Sequence, residues 1–236
     1  MKKISTIIFN LFILFSYCQN MNIYAEYGIK LMDDEAYTKD ALFNETFQSA
    51  KNNDSKVSFG LIINQNRSKF FDKSDMDSNN QNVVMTKIFA NYIGLVYNIY
   101  DSIYYQNPLL GEKIYTKTLK KENWTLLNET KLIDNHLCYK ATNINVVINS
   151  RGTFKYTVIA WYCPTLPYTF GPNGYGNLPG LILELQVRNV LFFLKKIDLN
   201  SKEILDVDFI KKIKILTDEE LELKLNEFNR FDEIKK

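Results

Sequence analysis

The sequence is poor in the residues that build most metal and nucleotide sites. Its 236 residues include one histidine, three cysteines, nine glycines and five prolines. So few histidines and cysteines exclude a zinc-ribbon or zinc-finger domain. The 29 Lys and Arg residues nearly balance the 27 Asp and Glu residues. The formal charge of +2 therefore does not indicate the strongly basic surface that nucleic-acid-binding proteins carry. A hydrophobic fraction of 46% suffices for a packed core and excludes a disordered chain.

The excess positive charge lies at the N-terminus, in a pattern typical of secretory signals. Lys2 and Lys3 precede a short apolar stretch. Small residues then occupy the −3 and −1 positions before Gln19, and the second of them is Cys18. A charged start, an apolar stretch and a small-x-small site together predict a signal peptide over residues 1–18, cleaved between Cys18 and Gln19.

Other interpretations of this N-terminus are an uncleaved anchor, a buried core helix, or a lipoprotein that carries its lipid on Cys18. The apolar stretch is shorter than the roughly 20 residues of a bilayer span. Bulky Tyr17 stands where lipidation sites take a small residue. Cleavage would leave residues 19–236, which have no net charge and no further apolar stretch of transmembrane length. We expect a single β-rich domain that is exported to the periplasm, the outer membrane or the extracellular space.

Strand patterns dominate residues 19–236. Asn22–Leu31 alternates apolar and polar residues with period two, which is typical of a half-buried strand. Further strands are predicted at residues 57–63, 113–117, 124–128, 137–148, 154–162, 181–187, 190–199 and 207–216, with one or two over residues 83–105. Residues 181–187 and 190–199 are apolar on both faces, which predicts that they lie at the centre of a sheet.

Helices are expected in few places. Residues 33–56 are compatible with a helix and a loop, whereas residues 64–82 indicate a mostly exposed connection with one possible edge strand. Residues 217–220 form a capping box that opens a C-terminal helix reaching about Ile234. The predicted fold class is mainly β (α+β): a large curved antiparallel sheet with one or two packed helices, including the C-terminal helix.

The two cysteines of residues 19–236 are predicted to face each other. A hairpin that turns at residues 150–151 brings Cys138 opposite Cys163 at a non-hydrogen-bonded pair, where side chains are closest. Export to an oxidising compartment favours a disulfide, and the alternative is two buried thiols, since one β-bulge would break the register. His136 lies on the same strand face as Cys138, so reduced thiols and this histidine could bind copper or zinc. Because this ligand set is so small, we predict no metal site.

Residues 171–185 stand apart, because four glycines and two prolines fall within ten residues before an apolar strand. Glycine permits positive φ or close backbone approach, and Pro179 lacks an N–H, so strand pairing is expected only after it. Gly-x-Gly-x-x-Gly and Gly-Lys-Ser/Thr patterns are missing, so we predict no phosphate-binding loop and no cofactor. The segment is either a binding loop or an ordered turn that launches a central strand. The candidate binding residues are Pro172, Tyr175, Leu178, Pro179 and Gly180.

The end of this segment resembles the hexapeptide signature of the GLPGLI family of exported bacterial proteins, matched here by Asn177-Leu178-Pro179-Gly180-Leu181-Ile182. Asparagine replaces the first glycine, and it is the next most tolerant residue of left-handed φ. Residues 137–142 and 160–162 are also similar to family positions, and the resemblance extends from about Trp124 to Asp198. It implies export by Gram-negative bacteria and an association with outer-membrane transport systems. It implies no particular catalytic residues.

Two non-catalytic functions fit these features. One is a binding protein for a hydrophobic ligand, similar to lipoprotein carriers, because 16 Phe and 15 Tyr residues suit an apolar cavity. The other is a structural or interaction partner of an outer-membrane transport complex, with an exposed apolar patch over Leu166–Tyr175 as its contact surface.

A third candidate function is a carboxylate-dependent hydrolase, which needs two acids in one cleft. Glu184 is an isolated acid in an apolar strand, and the favoured alternative to a catalytic role is that it faces solvent or pairs with Lys195 or Lys196 on the next strand. His-Glu-x-x-His and Gly-x-Ser-x-Gly motifs are missing. We therefore favour binding or interaction over catalysis.

Overall fold

One sheet of twelve strands organises the chain. The computed structural model describes residues 22–74, 80–120, 123–149, 152–206, 208–217 and 219–224. The strands are β1 (Asn22–Leu31), β2 (Ser58–Asn64), β3 (Arg67–Asp72), β4 (Val96–Ile99), β5 (Ser102–Gln106), β6 (Ile114–Leu119), β7 (Thr125–Ile133), β8 (His136–Asn149), β9 (Gly152–Cys163), β10 (Leu181–Val187), β11 (Val190–Ser201) and β12 (Lys214–Leu216). Their order in the sheet is β12-β6-β5-β4-β3-β2-β1-β11-β10-β9-β8-β7. Neighbours are antiparallel except for β12 and β6, which are parallel.

The predicted mainly-β class is confirmed, and some strands match their predicted bounds. β1 and β10 begin and end where the sequence pattern places them. On β1 the predicted apolar face, which includes Tyr27 and Leu31, lies in the main core. β10 and β11 are central strands, as expected from their apolar faces. The predicted signal peptide, residues 1–18, lies outside the described residues.

The number of helices was underestimated. The structure has α1 (Glu35–Thr38), α2 (Ala41–Lys51), α3 (Gln81–Phe89) and a C-terminal helix α4 at residues 219–224, where one or two helices were expected. The predicted capping box of α4 is present, since Thr217 Oγ1 accepts from the Glu220 N–H at 3.2 Å. The predicted end of this helix near Ile234 lies outside the described residues. Among the described residues, no helix is long and apolar enough to span a bilayer.

Helix α3 corrects the strand prediction over residues 83–105, of which only the second part forms β4 and β5. Its buried residues Val83, Thr86 and Phe89 recur every three positions, which is a helical spacing. Thr86 Oγ1 also donates to the Ala50 carbonyl at 2.8 Å, so α3 is held against α2. The β-branched residues suggested a strand, but helical periodicity and this tertiary contact override that propensity.

Two further segments differ from expectation. β3 is not an edge strand, because it pairs with β2 on one side and β4 on the other. Of the strand predicted over residues 207–216, the described residues 208–216 form only the short strand β12, which follows a 3₁₀ turn at Asp208–Lys212. This C-terminal segment covers a second, smaller core on the outer face of the sheet. Its members are Tyr97, Ile99, Tyr104 and Tyr115, against which Ile210 and Ile213 pack.

The sheet bends so that distant strands approach each other. An open cavity of about 640 Å³ is lined by Leu119 of β6 together with Asn143 and Val146 of β8. These two strands are far apart in the sheet order. Their side chains line one cavity because the sheet curls around its inner face. The inner face also carries the main core, so ligand-sized space can form only where that core is incomplete.

Candidate functional site

The Gly/Pro loop, residues 164–180, packs into the inner face of the sheet. Leu166, Phe170 and Leu178 are buried in the main core. Phe170 forms an isolated antiparallel bridge with Gly176, which closes the loop on itself. Trp124 Nε1 donates to the Gly176 carbonyl at 2.9 Å, so the loop is also held by the segment before β7. Over Leu166–Tyr175, the apolar side chains of Leu166 and Phe170 are buried, so they offer no exposed contact surface.

Two residues at the end of this loop, Asn177 and Gly180, have positive φ, which most residue types adopt only with strain. Gly180 has a φ of +155°, and a Cβ placed there would lie 2.2 Å from the Cys163 carbonyl oxygen. Glycine is thus required both by conformation and by close backbone approach. Asn177 has a φ of +61°, which is the left-handed conformation expected of a residue that replaces glycine.

The five candidate binding residues have different environments. Pro172, Leu178 and Gly180 are buried within the domain, and Pro179 is exposed. Tyr175 is half-buried and lines two cavities beside the loop. Burial raises the pKa of its hydroxyl to about 12. Of the five, Tyr175 is the residue placed to touch a ligand in these cavities.

We call these two adjoining cavities together the inner cleft. They measure about 360 and 380 Å³. They share a junction formed by Asn91, Asn145, Asn173 and Tyr175. Asn173 Nδ2 donates to the Asn91 carbonyl at 3.1 Å, which fixes the loop across the junction. The sheet, helix α3 and the Gly/Pro loop thus meet around two cavities that share these four wall residues.

The two halves of the cleft differ in chemistry. The cavity of about 380 Å³, which we call the apolar half, is lined mainly by hydrophobic side chains from α2, α3 and the sheet. Examples are Phe43, Ile88, Val147, Val187, Val190 and Phe192. The cavity of about 360 Å³, the amide half, adds polar and aromatic groups to the shared asparagines. Examples are Tyr105, Asn107, Thr116, Lys120 and Trp124.

An arginine at the turn between β10 and β11 forms the rim of the apolar half. Arg188 has a φ of +54°, and its guanidinium lies 4.7 Å from the ring centroid of Tyr37 and 4.6 Å from that of Tyr156. Its Nη2 donates to Asp34 Oδ1 at 3.0 Å, and its Nε donates to the other carboxylate oxygen. Arg188 holds the pKa of the Asp34 carboxyl below its usual range. This side chain links α1 to the β8–β9 hairpin, and its charge is already paired.

The two cysteines lie next to each other as the hairpin register predicted. Pairs run in register from Asn149 with Gly152 to Tyr139 with Tyr162, one step before the cysteines. Both thiols are free and buried in the structure. Burial, with a contribution from the neighbouring Cys163, raises the pKa of Cys138 to about 12. The disulfide itself stays a prediction.

The structure bears on two alternatives, a metal site and a catalytic role for Glu184. No group of three or more His, Cys, Asp or Glu side chains gathers within the described part of the chain. Glu184 pairs with Lys131 of β7, rather than with Lys195 or Lys196 of the next strand along the chain. Lys131 also lies 4.5 Å from the ring centroid of Trp161. This pairing corrects the alternatives drawn from the sequence, because its partner lies on a strand distant in sequence.

A family model matches the segment that contains much of this loop. Residues 149–184 match a family described as "Protein of unknown function (Porph_ging)". The match spans β9, the Gly/Pro loop and the start of β10, and it does not confirm the narrower GLPGLI resemblance. No curated protein matches the sequence.

Solved structures are similar to this chain only at a distant level. Two structures of PNGF-II, in space groups P21 and C2, are 15% and 16% identical, with TM-scores of 0.49 and 0.48. Each alignment covers 83% of this chain, which spans only 31% and 30% of those chains. A domain described as an outer membrane lipoprotein-sorting protein domain from Vibrio parahaemolyticus is 6% identical, with a TM-score of 0.32 and coverage of 83% of this chain and 92% of that one. Likenesses at this level carry no argument about function.

Sequence reasoning missed most of the residues that form the cleft. Asn91, Asn145 and Arg188 come from three distant segments, and no motif marks any of them. Asn173 lies inside the unusual segment, but its left-handed φ of 50° appears only in the structure. The Gly/Pro composition was the one signal that pointed to this region.

Proposed function

We propose that this chain is an exported cell-envelope protein that binds a partly hydrophobic ligand in the inner cleft without transforming it. The observation that carries the proposal is the pair of adjoining cavities at the Gly/Pro loop, one of which has mostly apolar walls. Ligand sites are usually concave, mainly apolar, and supplied with a few polar groups that set orientation. The inner cleft has each of these properties.

Export rests on the N-terminal pattern that ends at Cys18 and Gln19. The match over residues 149–184 falls on the segment that resembles the GLPGLI signature, and we propose membership of that exported family. A carrier-like role, comparable to that of lipoprotein carriers, agrees with a curled sheet that holds the cleft on its inner face.

The other two functions have less support. An interface at Leu166–Tyr175 would need exposed apolar side chains, yet Leu166 and Phe170 are buried. A carboxylate-dependent hydrolase would need two converging acids. Among the described residues that line the inner cleft, none is an aspartate or glutamate.

The proposal predicts that the protein binds the neutral apolar dye N-phenyl-1-naphthylamine in the apolar half. Ile88 lines this half from α3 and is 49% exposed, so Ile88→Glu should fold and place a charge at the cleft wall. We expect at least a fivefold loss of dye affinity, since a buried charge is costly beside an apolar ligand. Fluorescence titration of residues 19–236 measures it.

Val84→Glu is the matched control. Val84 is on the same helix, is 39% exposed, and does not line the cleft. We expect its dye affinity to equal that of the unmodified protein. If the dye does not bind, or if both variants weaken it equally, the cleft is not a hydrophobic ligand site.

A further inference from the structure

The inner cleft has two halves of unlike chemistry that meet at one row of asparagines. Asn91, Asn145 and Asn173 lie at the junction, and Asn107 lies farther into the amide half. The apolar half adds Asn189, whose Nδ2 donates to the Met32 carbonyl at 3.4 Å. A ligand that fills both halves must therefore have an apolar end and a polar end. This inference rests on the proposed function and specifies the ligand further.

Asparagine side chains favour uncharged hydrogen-bonding groups in a ligand. Each asparagine side chain offers two N–H donors and a carbonyl acceptor without carrying a charge. Hydroxyl groups, which both donate and accept, complement this set, whereas an ionised group needs an opposite charge.

The charged side chains around the cleft disfavour a cationic head group. No carboxylate is found among the described lining residues, and the guanidinium of Arg188 is paired with Asp34. Lys120 is the other cationic residue of the described lining, and its Nζ lies 5.2 Å from the Phe170 ring centroid. A cationic head group would find no partner in this wall.

Aromatic rings complete the amide half. Trp124 and Tyr175 meet edge to face, with ring centroids 6.4 Å apart, and both line the cavity. Aromatic side chains of this kind offer an apolar face beside a polar edge. The C–H faces of a sugar ring fit such a surface, while its hydroxyls reach the asparagines.

We propose that the ligand is an amphiphile with an uncharged, hydroxyl-rich head, such as a glycolipid. Its hydrocarbon tail occupies the apolar half, and its head occupies the junction and the amide half. Asn145 contacts the head group and sets the preference for an uncharged one.

Isothermal titration calorimetry of residues 19–236 with three soluble probes tests this proposal. Dodecyl maltoside, used below its critical micelle concentration, supplies tail and head, while dodecanoate supplies the same tail with an anionic head and maltose supplies the head alone. We expect dodecyl maltoside to bind at least fivefold more tightly than dodecanoate, and maltose to bind too weakly to detect.

Other results distinguish this inference from the proposed function. Binding of the apolar dye without preference for dodecyl maltoside overturns the head-group assignment and leaves the hydrophobic site standing. Tighter binding of dodecanoate that is lost in Lys120→Gln shows an anionic head instead, which also overturns it. If neither the dye nor either amphiphile binds, both proposals are wrong.

Asn145→Leu and Asn143→Leu form a matched pair on β8. Asn145 lines both halves of the inner cleft, whereas Asn143 lies two residues away, on the same face of the strand, and lines the separate 640 Å³ cavity. Removing a hydrogen bond to a neutral group should weaken dodecyl maltoside binding about three- to tenfold in Asn145→Leu only. Unchanged dye affinity in both variants shows that the cleft is intact. Equal dodecyl maltoside affinity in the two variants contradicts the role of Asn145.

Discussion

At Gly180 the Gly/Pro loop presses against the backbone of β9, whereas at Asn173 the same loop forms a wall of the inner cleft. Both residues have positive φ, but their surroundings differ. The space beside Gly180 is filled by the Cys163 carbonyl, and the space beside Asn173 is open. One short segment therefore contains a part that builds the fold and a part that is available to a ligand.

The largest effect on stability is expected for Gly180→Ala. The added Cβ combines an unfavourable φ with a clash against the Cys163 carbonyl, so the free energy of unfolding should fall by about 4 kcal/mol. Urea denaturation measures this loss.

Gly152→Ala is the control that measures the cost of positive φ without a steric clash. Gly152 has a φ of +130°, yet no atom lies within 4 Å of the position its Cβ would take. We expect a loss of about 1 kcal/mol. Equal losses at the two glycines would show that close packing at the buried end of the loop is not required.

A disulfide at the start of the loop is expected to have the next largest effect. A Cys138–Cys163 bond would close a loop between adjacent strands and raise the free energy of unfolding by about 3 kcal/mol. Urea denaturation with and without a reductant measures it, and the Cys138→Ala/Cys163→Ala double variant should not respond to the reductant.

Intact mass spectrometry of the protein isolated from the cell envelope tests both the predicted disulfide and the predicted export. We expect a chain that begins at Gln19 and is lighter than the reduced form by two hydrogens. A chain that still carries residues 1–18 contradicts cleavage, and the mass of two free thiols contradicts the bond.

The smallest effect on stability is expected at the cleft end of the loop. Asn173→Gly keeps a residue that tolerates positive φ and removes one hydrogen bond to Asn91, so the free energy of unfolding should change by less than about 1 kcal/mol. Its affinity for dodecyl maltoside should nevertheless fall about threefold, because an amide is lost from the junction.

Asn177→Gly is the control for the same chemical change away from the cleft. Asn177 also has positive φ but lines neither half of the inner cleft. Its unfolding free energy and its affinity for the amphiphile should both stay near those of the unmodified protein. A large stability loss in Asn173→Gly alone would mean that this end of the loop also serves the fold.

Local patterns predicted individual strands and the register that follows from a tight turn. The β8–β9 register followed from a tight turn, and it extends to Tyr139 and Tyr162 as expected. Prediction failed where a distant contact decided the outcome. α3 packs on α2 through Thr86 and Ala50, and Glu184 of β10 pairs with Lys131 of β7 across the two strands between them.

By itself, the sequence determined the period-two strand β1, the register that sets Cys138 beside Cys163, and the left-handed turn at Asn177. Each depends on the conformational preferences of residues close together in the chain. Only the tertiary structure decided that Asn91, Asn145 and Asn173 share one junction. The physical reason is that curling of the sheet brings distant segments together, and no local preference encodes that approach.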